Sequence, residues 1–175
     1  MAAFLDDLSE ALARPNLHVL LIGGHALQAY GITRQTLDID WITSDEDIAV
    51  IRKIMIEKGF GILAQTENFL RFHHQKTGVM DIDVLLVDRK TLQIMYDAGT
   101  DYRYGNMQWR IPSPLHLIAL KLHAIKNNPR RESRDVADIL DLIRLTENKI
   151  SVEDLHQLCR KYGPEGIYQR IEKSL

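Results

Sequence analysis

Short apolar runs bounded by turn-forming or charged residues dominate the first two thirds of the chain. The run at residues 18–22 ends at Gly23-Gly24, and a continuous apolar run of this length is typical of a strand buried on both faces. Further strands are predicted at residues 37–43, 60–65, 69–75, 79–87 and 107–111. Helices are predicted at residues 3–13, 25–30 and 89–97, and between the cap Ser44 and Gly59.

Beyond Pro114 the apolar positions recur at helical spacing. Three consecutive patterns predict helices at residues 115–127, 133–145 and 152–162, the last of them capped by Ser151. This order of elements predicts an α/β fold of the α+β type, in which a mixed sheet flanked by helices is followed by a C-terminal helical hairpin or small bundle. We expect an α/β core at residues 1–113 and a helical region at residues 114–175 packed on it.

Composition and charge narrow the classes of protein that this chain resembles. Its 175 residues are 45% hydrophobic and 26% charged, which fits one compact domain, alone or with a small appendage. The formal net charge of −2 gives no general attraction to nucleic acid or anionic lipid. A local exception is the segment 121–134, where five basic residues face one acid. It suits either a triphosphate or RNA backbone, or simply a solvated charged loop.

Cellular location is predicted from what the sequence lacks. Cys159 is the only cysteine, so neither an internal disulfide nor a cysteine-based zinc site is expected. Acids near the N-terminus are unlike a secretion signal, and no apolar run approaches the ~18 residues needed to cross a bilayer. We therefore expect a cytoplasmic protein without a membrane partner.

Two pairs of carboxylates provide the main candidate chemistry. Asp38 and Asp40 alternate along one predicted strand, so both project to the same face, ~6.6 Å apart along the strand. Asp81 and Asp83 repeat the pattern on a later strand. Carboxylates gathered in this way suit Mg²⁺ or Mn²⁺ held jointly with substrate phosphates, and two-metal catalysis needs about three of them. Asp83 is favoured over Asp81 as the third acid because it directly precedes the buried run; the alternative is acids that reach solvent at strand ends.

The glycine pair Gly23-Gly24 is a second, weaker signal. Glycines at a strand-to-helix junction let the backbone approach a phosphate at the helix N-terminus, but they equally suit a tight turn. His25, next in the chain, is a candidate phosphate contact or a plain neighbour of the helix start. Arg34 is a candidate contact for the triphosphate or for the metal-binding acids.

Taken together, these motifs resemble the polymerase-beta-like nucleotidyltransferases. The string Ile22-Gly23-Gly24-His25-Ala26-Leu27, followed by Arg34-x-Thr36-x-Asp38-Ile39-Asp40, is similar to the AbiEii/AbiGii type IV toxin branch. Downstream, Lys121-x-x-Ala124 and Arg134-Asp135-x-x-Asp138 resemble that branch's second half. The resemblance covers about residues 18–145.

The resemblance implies a nucleotidyltransferase-like sheet and an activity. It implies that Asp38 and Asp40 bind metal with Asp83 or Asp81, that Asp83 helps to deprotonate the acceptor, and that Lys121 binds phosphate. Asp138 either orients Lys121, binds the nucleotide, or simply lies on a solvated helix face. The expected co-substrate is a nucleoside triphosphate such as ATP. The expected acceptor is RNA or protein, with an antitoxin as partner. The alternatives are a small molecule of the antibiotic type, or a catalytically inactive binding module.

Overall fold

The computed structural model describes residues 2–104, 107–146 and 150–175 of the chain. Seven strands form one mixed sheet: β1 Val19–Ile22, β2 Asp38–Ser44, β3 Phe60–Thr66, β4 Phe69–His74, β5 Asp81–Val87, β6 Thr100–Tyr104 and β7 Met107–Ile111. Their order across the sheet is β3-β4-β5-β2-β1-β7-β6. The pairs β2/β5 and β1/β7 are parallel, and the other neighbouring strands are antiparallel.

Eight α-helices accompany the sheet in the described residues. They are α1 Ala2–Leu12, α2 Gly23–Gln28, α3 Ile48–Glu57, α4 Arg89–Asp97, α5 Pro114–Asn127, α6 Glu132–Leu145, α7 Val152–Tyr162 and α8 Ile167–Glu172. Short 3₁₀ turns at Asp45–Asp47 and Pro129–Arg131 precede α3 and α6. The predicted fold class, a mixed sheet flanked by helices and followed by a small helical bundle, is confirmed.

The chain forms two compact units. The first comprises Met1–Ala26 and Arg34–Pro112, and the second comprises Leu27–Thr33 and Ser113–Leu175. The first contains the whole sheet, with α1 against β7, α3 against β3 and α4 against β2. In the second, α5 packs against both α6 and α7, and α7 packs against α8. The domain boundary expected between residues 113 and 114 stays a prediction.

The centre of the sheet is apolar because β2 lies between β5 and β1. Trp41 and Ile42 of β2 and Val84 of β5 are completely buried, and Leu20 of β1 joins them. Trp41 also lies against Trp109 of β7, with ring centroids 5.7 Å apart. The carboxylates of β2 occupy the N-terminal end of the strand, so this rigid core fixes where they lie.

Two elements differ from the sequence prediction. Strand β6 was not predicted, because the segment Thr100–Tyr104 alternates polar and aromatic residues and joins the sheet only as an edge strand beside β7. Helix α8 was not predicted either, because it is only six residues long and follows Gly166 in the left-handed conformation. No helix among the described residues is long and apolar enough to cross a membrane.

Candidate active site

Strand pairing brings together three of the four predicted carboxylates. The parallel register of β2 and β5 sets Asp38 beside Asp81 and Asp40 beside Asp83. Oxygen atoms of Asp38, Asp40 and Asp83 lie within 4.8 Å of one another. We call these three residues the acidic triad. Hard carboxylate oxygens held this close are the donor set that Mg²⁺ and Mn²⁺ prefer, so the residues fit a divalent cation.

Asp81 lies outside the acidic triad and has another partner. Its Oδ1 is 2.6 Å from Nδ1 of His73 on β4, and both side chains are partly exposed. The alternation along β5 therefore does not make its two carboxylates equivalent. Asp83 belongs to the group that can share a cation, whereas Asp81 belongs to a histidine–carboxylate pair beside it.

Arg71 is a member of the site that the sequence analysis did not single out. It lies opposite Asp83 in the antiparallel pairing of β4 and β5. Its Nε and Nη2 donate to Oδ1 and Oδ2 of Asp83 at 2.6 and 2.5 Å, and Nη2 is also 3.7 Å from Oδ2 of Asp38. The bond to Asp83 raises the pKa of Arg71, so the guanidinium stays charged. Cross-strand pairing alone reveals this residue, since an isolated arginine in a strand carries no signal.

The glycine pair has a role in the chain's own packing. Strand β1 ends at Ile22, and Gly23 has a φ of +64°, a left-handed conformation that side chains disfavour. A Cβ atom at Gly23 would overlap the carboxylate of Asp40. At Gly24 a Cβ would come 2.9 Å from Cβ of Thr36, whose hydroxyl donates to Oδ1 of Asp38 at 3.1 Å. The two glycines therefore make room for the acids and their support.

His25 lies next to the acidic triad and is almost completely buried. Burial lowers the pKa of its imidazole, while the carboxylate and backbone of Asp38 raise it. The net shift is downward and favours the neutral ring. Arg34 is half-buried in the segment between α2 and β2.

In the second unit, Lys121 lies in a buried ionic network. Its Nζ donates to Oδ1 of Asp135 at 3.1 Å and to Oδ2 of Asp138 at 2.5 Å, and all three residues are buried. Arg131 adds a bond from Nε to Oδ2 of Asp135 at 2.8 Å. Burial raises the pKa of Asp135, but Arg131 and Lys121 outweigh it, and the net shift is downward. An ammonium group has three N–H donors, so the two carboxylates leave one for a further acceptor.

The basic segment at residues 121–134 therefore offers fewer cationic side chains to an external anion than its sequence suggests. Lys121 and Arg131 are bonded to the buried acids of α6, and Nε of Arg134 is 3.7 Å from Oδ1 of Asp135. The acid of the segment, Glu132, pairs instead with Arg170 at 2.7 Å.

Several solved structures are similar to this chain in three dimensions. The crystal structure of ANT(2'')-Ia in complex with adenylyl-2''-tobramycin aligns with a TM-score of 0.67 at 12% identity, over 99% of this chain and 97% of that one. The lincomycin-bound lincosamide antibiotic adenylyltransferase LnuA aligns with a TM-score of 0.57 at 14% identity, over 82% of this chain and 94% of that one. An antigenic nucleotidyltransferase-like protein from Paracoccidioides brasiliensis aligns with a TM-score of 0.61 at 14% identity, over 99% and 85%.

At these identities the alignments show a shared fold. No curated protein sequence matches the chain. The family described as uncharacterised nucleotidyltransferases, NTP_transf_5, matches residues 1–171, nearly the entire chain. On this match the protein belongs to that nucleotidyltransferase family.

Proposed function

We propose that the protein uses a divalent cation to move a nucleoside monophosphate from a nucleoside triphosphate onto an acceptor hydroxyl. The observation that carries this proposal is the acidic triad, whose oxygens lie within 4.8 Å of one another at one end of two parallel strands. Three carboxylates in such proximity repel one another unless positive charge lies among them. Because the protein belongs to a nucleotidyltransferase family, we infer that the ligand of the acidic triad is a metal–triphosphate complex.

In this proposal Asp38, Asp40 and Asp83 hold the cation, which, when bound, would neutralise charge on the triphosphate. The acceptor oxygen attacks the α-phosphorus while the bond to the bridging oxygen of pyrophosphate breaks. The hydroxyl proton passes to Asp83, whose carboxylate is paired with Arg71 in the structure. Asp81, which is paired with His73, has no role in this proposed reaction.

The phosphates are assigned to the turn at Gly23-Gly24 on the basis of the family resemblance. Arg34 is a further proposed phosphate contact. For His25 we favour a supporting role, because its buried ring faces Asp38. Lys121 is proposed to contact phosphate through its one remaining N–H, with Asp138 orienting it.

For the acceptor we propose a small hydroxyl compound. Two of the structural neighbours carry antibiotic-derived ligands, adenylyl-2''-tobramycin and lincomycin, and the alignments span 97% and 94% of those chains. RNA or protein, with an antitoxin as partner, is the second candidate, because the glycine and aspartate strings resemble AbiEii/AbiGii toxins. The pairing of Lys121 and Arg131 with buried acids speaks against a broad RNA-binding surface on that segment.

The test is transfer of label from α-³²P nucleoside triphosphates in Mg²⁺ or Mn²⁺. Aminoglycosides and lincosamides, total RNA and total protein serve as separate acceptor pools. Asp40→Asn should lower transfer on the order of a hundredfold or more, the scale of losing one transition-state-stabilising group. Asp101→Asn is the matched control, since it removes an exposed carboxylate of the same unit that pairs with Arg110. Equal transfer by Asp40→Asn and wild type would refute the assignment of Asp40 to the catalytic site. Labelling of RNA alone would make RNA, and not a small hydroxyl compound, the first candidate acceptor.

A further inference from the structure

Arg71 places a permanent positive charge against the acidic triad. Both oxygens of Asp83 accept hydrogen bonds from its guanidinium, at 2.6 and 2.5 Å. Asp83 is only 9% exposed, so solvent does little to offset its charge. The electrostatic partner of Asp83 in the structure is therefore the arginine.

The guanidinium also reaches toward a second member of the triad. Nη2 lies 2.5 Å from Oδ2 of Asp83 and 3.7 Å from Oδ2 of Asp38. A Mg²⁺ ion shared by those two oxygens would need both of them at about 2.0–2.1 Å. Nη2 is hydrogen-bonded to one of these oxygens and lies 3.7 Å from the other, so it and such a cation compete for the same pair of oxygens.

We propose that Arg71 is a positioning residue that stands in for the divalent cation in the metal-free site and withdraws from Asp83 when the cation binds. This inference rests on the proposed function, because it takes the acidic triad as a metal site. In the metal-free protein the arginine reduces repulsion among the carboxylates and keeps them assembled. When the cation arrives, its like charge repels the guanidinium.

Removing the arginine should therefore strengthen metal binding. We expect Arg71→Met to bind Mn²⁺ about tenfold more tightly than wild type, because one positive charge no longer competes at the site. Arg71→Lys keeps the charge without the two parallel bonds, and its affinity should stay near that of wild type. The measurement is the electron paramagnetic resonance signal of free Mn²⁺ during titration of the nucleotide-free protein, which does not depend on activity.

The chain offers a closely matched control in Arg89. It makes the same kind of two-bond pair with Asp47, at 2.7 and 2.8 Å, and Asp47 is as buried as Asp83. The exposed fractions of the two arginine side chains are 36% and 37%. Arg89→Met should cost similar stability and leave Mn²⁺ affinity unchanged, which separates loss of an ion pair from a change at the metal site.

The outcomes separate this inference from the proposed function. The inference is supported if Arg71→Met binds Mn²⁺ more tightly than wild type and Arg89→Met does not. If wild type binds Mn²⁺ and Arg71→Met binds it equally or more weakly, the arginine only orients Asp83 and the inference is overturned. If neither protein binds Mn²⁺, the acidic triad is no metal site, and the proposed function fails together with the inference.

Discussion

At the scale of single residues, Gly23 shows how closely the site is tied to the backbone. Its left-handed φ of +64° turns the chain from β1 into α2, and its missing side chain leaves space for the carboxylate of Asp40. Any side chain here meets two separate penalties, one from backbone strain and one from contact with a member of the acidic triad.

The two penalties can be separated with a second glycine. Gly78 has a φ of +87°, but nothing lies within 4 Å of the position that its Cβ would take. Gly78→Ala should therefore lose about 1 kcal/mol in free energy of unfolding and keep its Mn²⁺ affinity. Gly23→Ala should lose more stability and bind Mn²⁺ at least about tenfold more weakly, because moving Asp40 disturbs the ligand set. Urea denaturation and Mn²⁺ titration test both variants, and equal effects would show that only φ matters.

The sequence could predict which residue types form the site but not every partner. Alternation along a strand predicted that Asp38 and Asp40 share one face. A second strand with the same pattern predicted that carboxylates of both strands meet on one surface. Alternation alone could not distinguish Asp81 from Asp83, since both obey it, and only the buried run after Asp83 favoured that residue. Register with β4 makes the difference, because it sets Arg71 opposite Asp83 and no local pattern reveals a cross-strand pair.

At the scale of elements, α5 and α6 are joined by a buried ionic network. Lys121 on α5 is bonded to Asp135 and Asp138 on α6, and Arg131 shares Asp135. A cation removed from such a network leaves a carboxylate that is buried and no longer compensated. The spacing in the sequence placed these residues on helices, whereas the packing of the two helices determines that the charges meet.

Lys121→Met should therefore lose about 3–5 kcal/mol in free energy of unfolding, the range found when one partner of a buried pair is removed. Arg131→Met should lose less, because that side chain is 40% exposed and Lys121 still accompanies Asp135. Adding Asp138→Asn to Lys121→Met should recover part of the loss, since one buried negative charge is removed with the positive one. Urea denaturation followed by circular dichroism measures all three, and equal losses for both single variants would contradict the ranking.

At the scale of the whole molecule, the half-buried His116 contributes to the dependence of stability on pH. His116 on α5 is half-buried with Nδ1 3.0 Å from the hydroxyl of Ser113, and burial lowers its pKa from the ordinary 6.5. The unfolded chain therefore takes up this proton before the folded protein does. The stabilising contribution is fully present above pH 6.5 and is lost as pH falls toward the lower folded pKa.

The free energy of unfolding should fall less between about pH 7.5 and about pH 5.5 in His116→Gln than in wild type. His123→Gln is the control, because it removes an exposed histidine from the same helix. Urea denaturation at a series of pH values provides the slopes. A variant slope equal to that of wild type would assign the pH dependence to other groups, such as the buried His25.

The tryptophan pair gives the unit that contains the sheet its own optical reporter. The chain has two tryptophans, and Trp41 and Trp109 both lie buried in the unit that contains the sheet. Tryptophan emission therefore follows the environment of that unit, whereas helical ellipticity is contributed by helices of both units. A mutation that loosens only the helical unit would shift the second signal and leave the emission maximum in place.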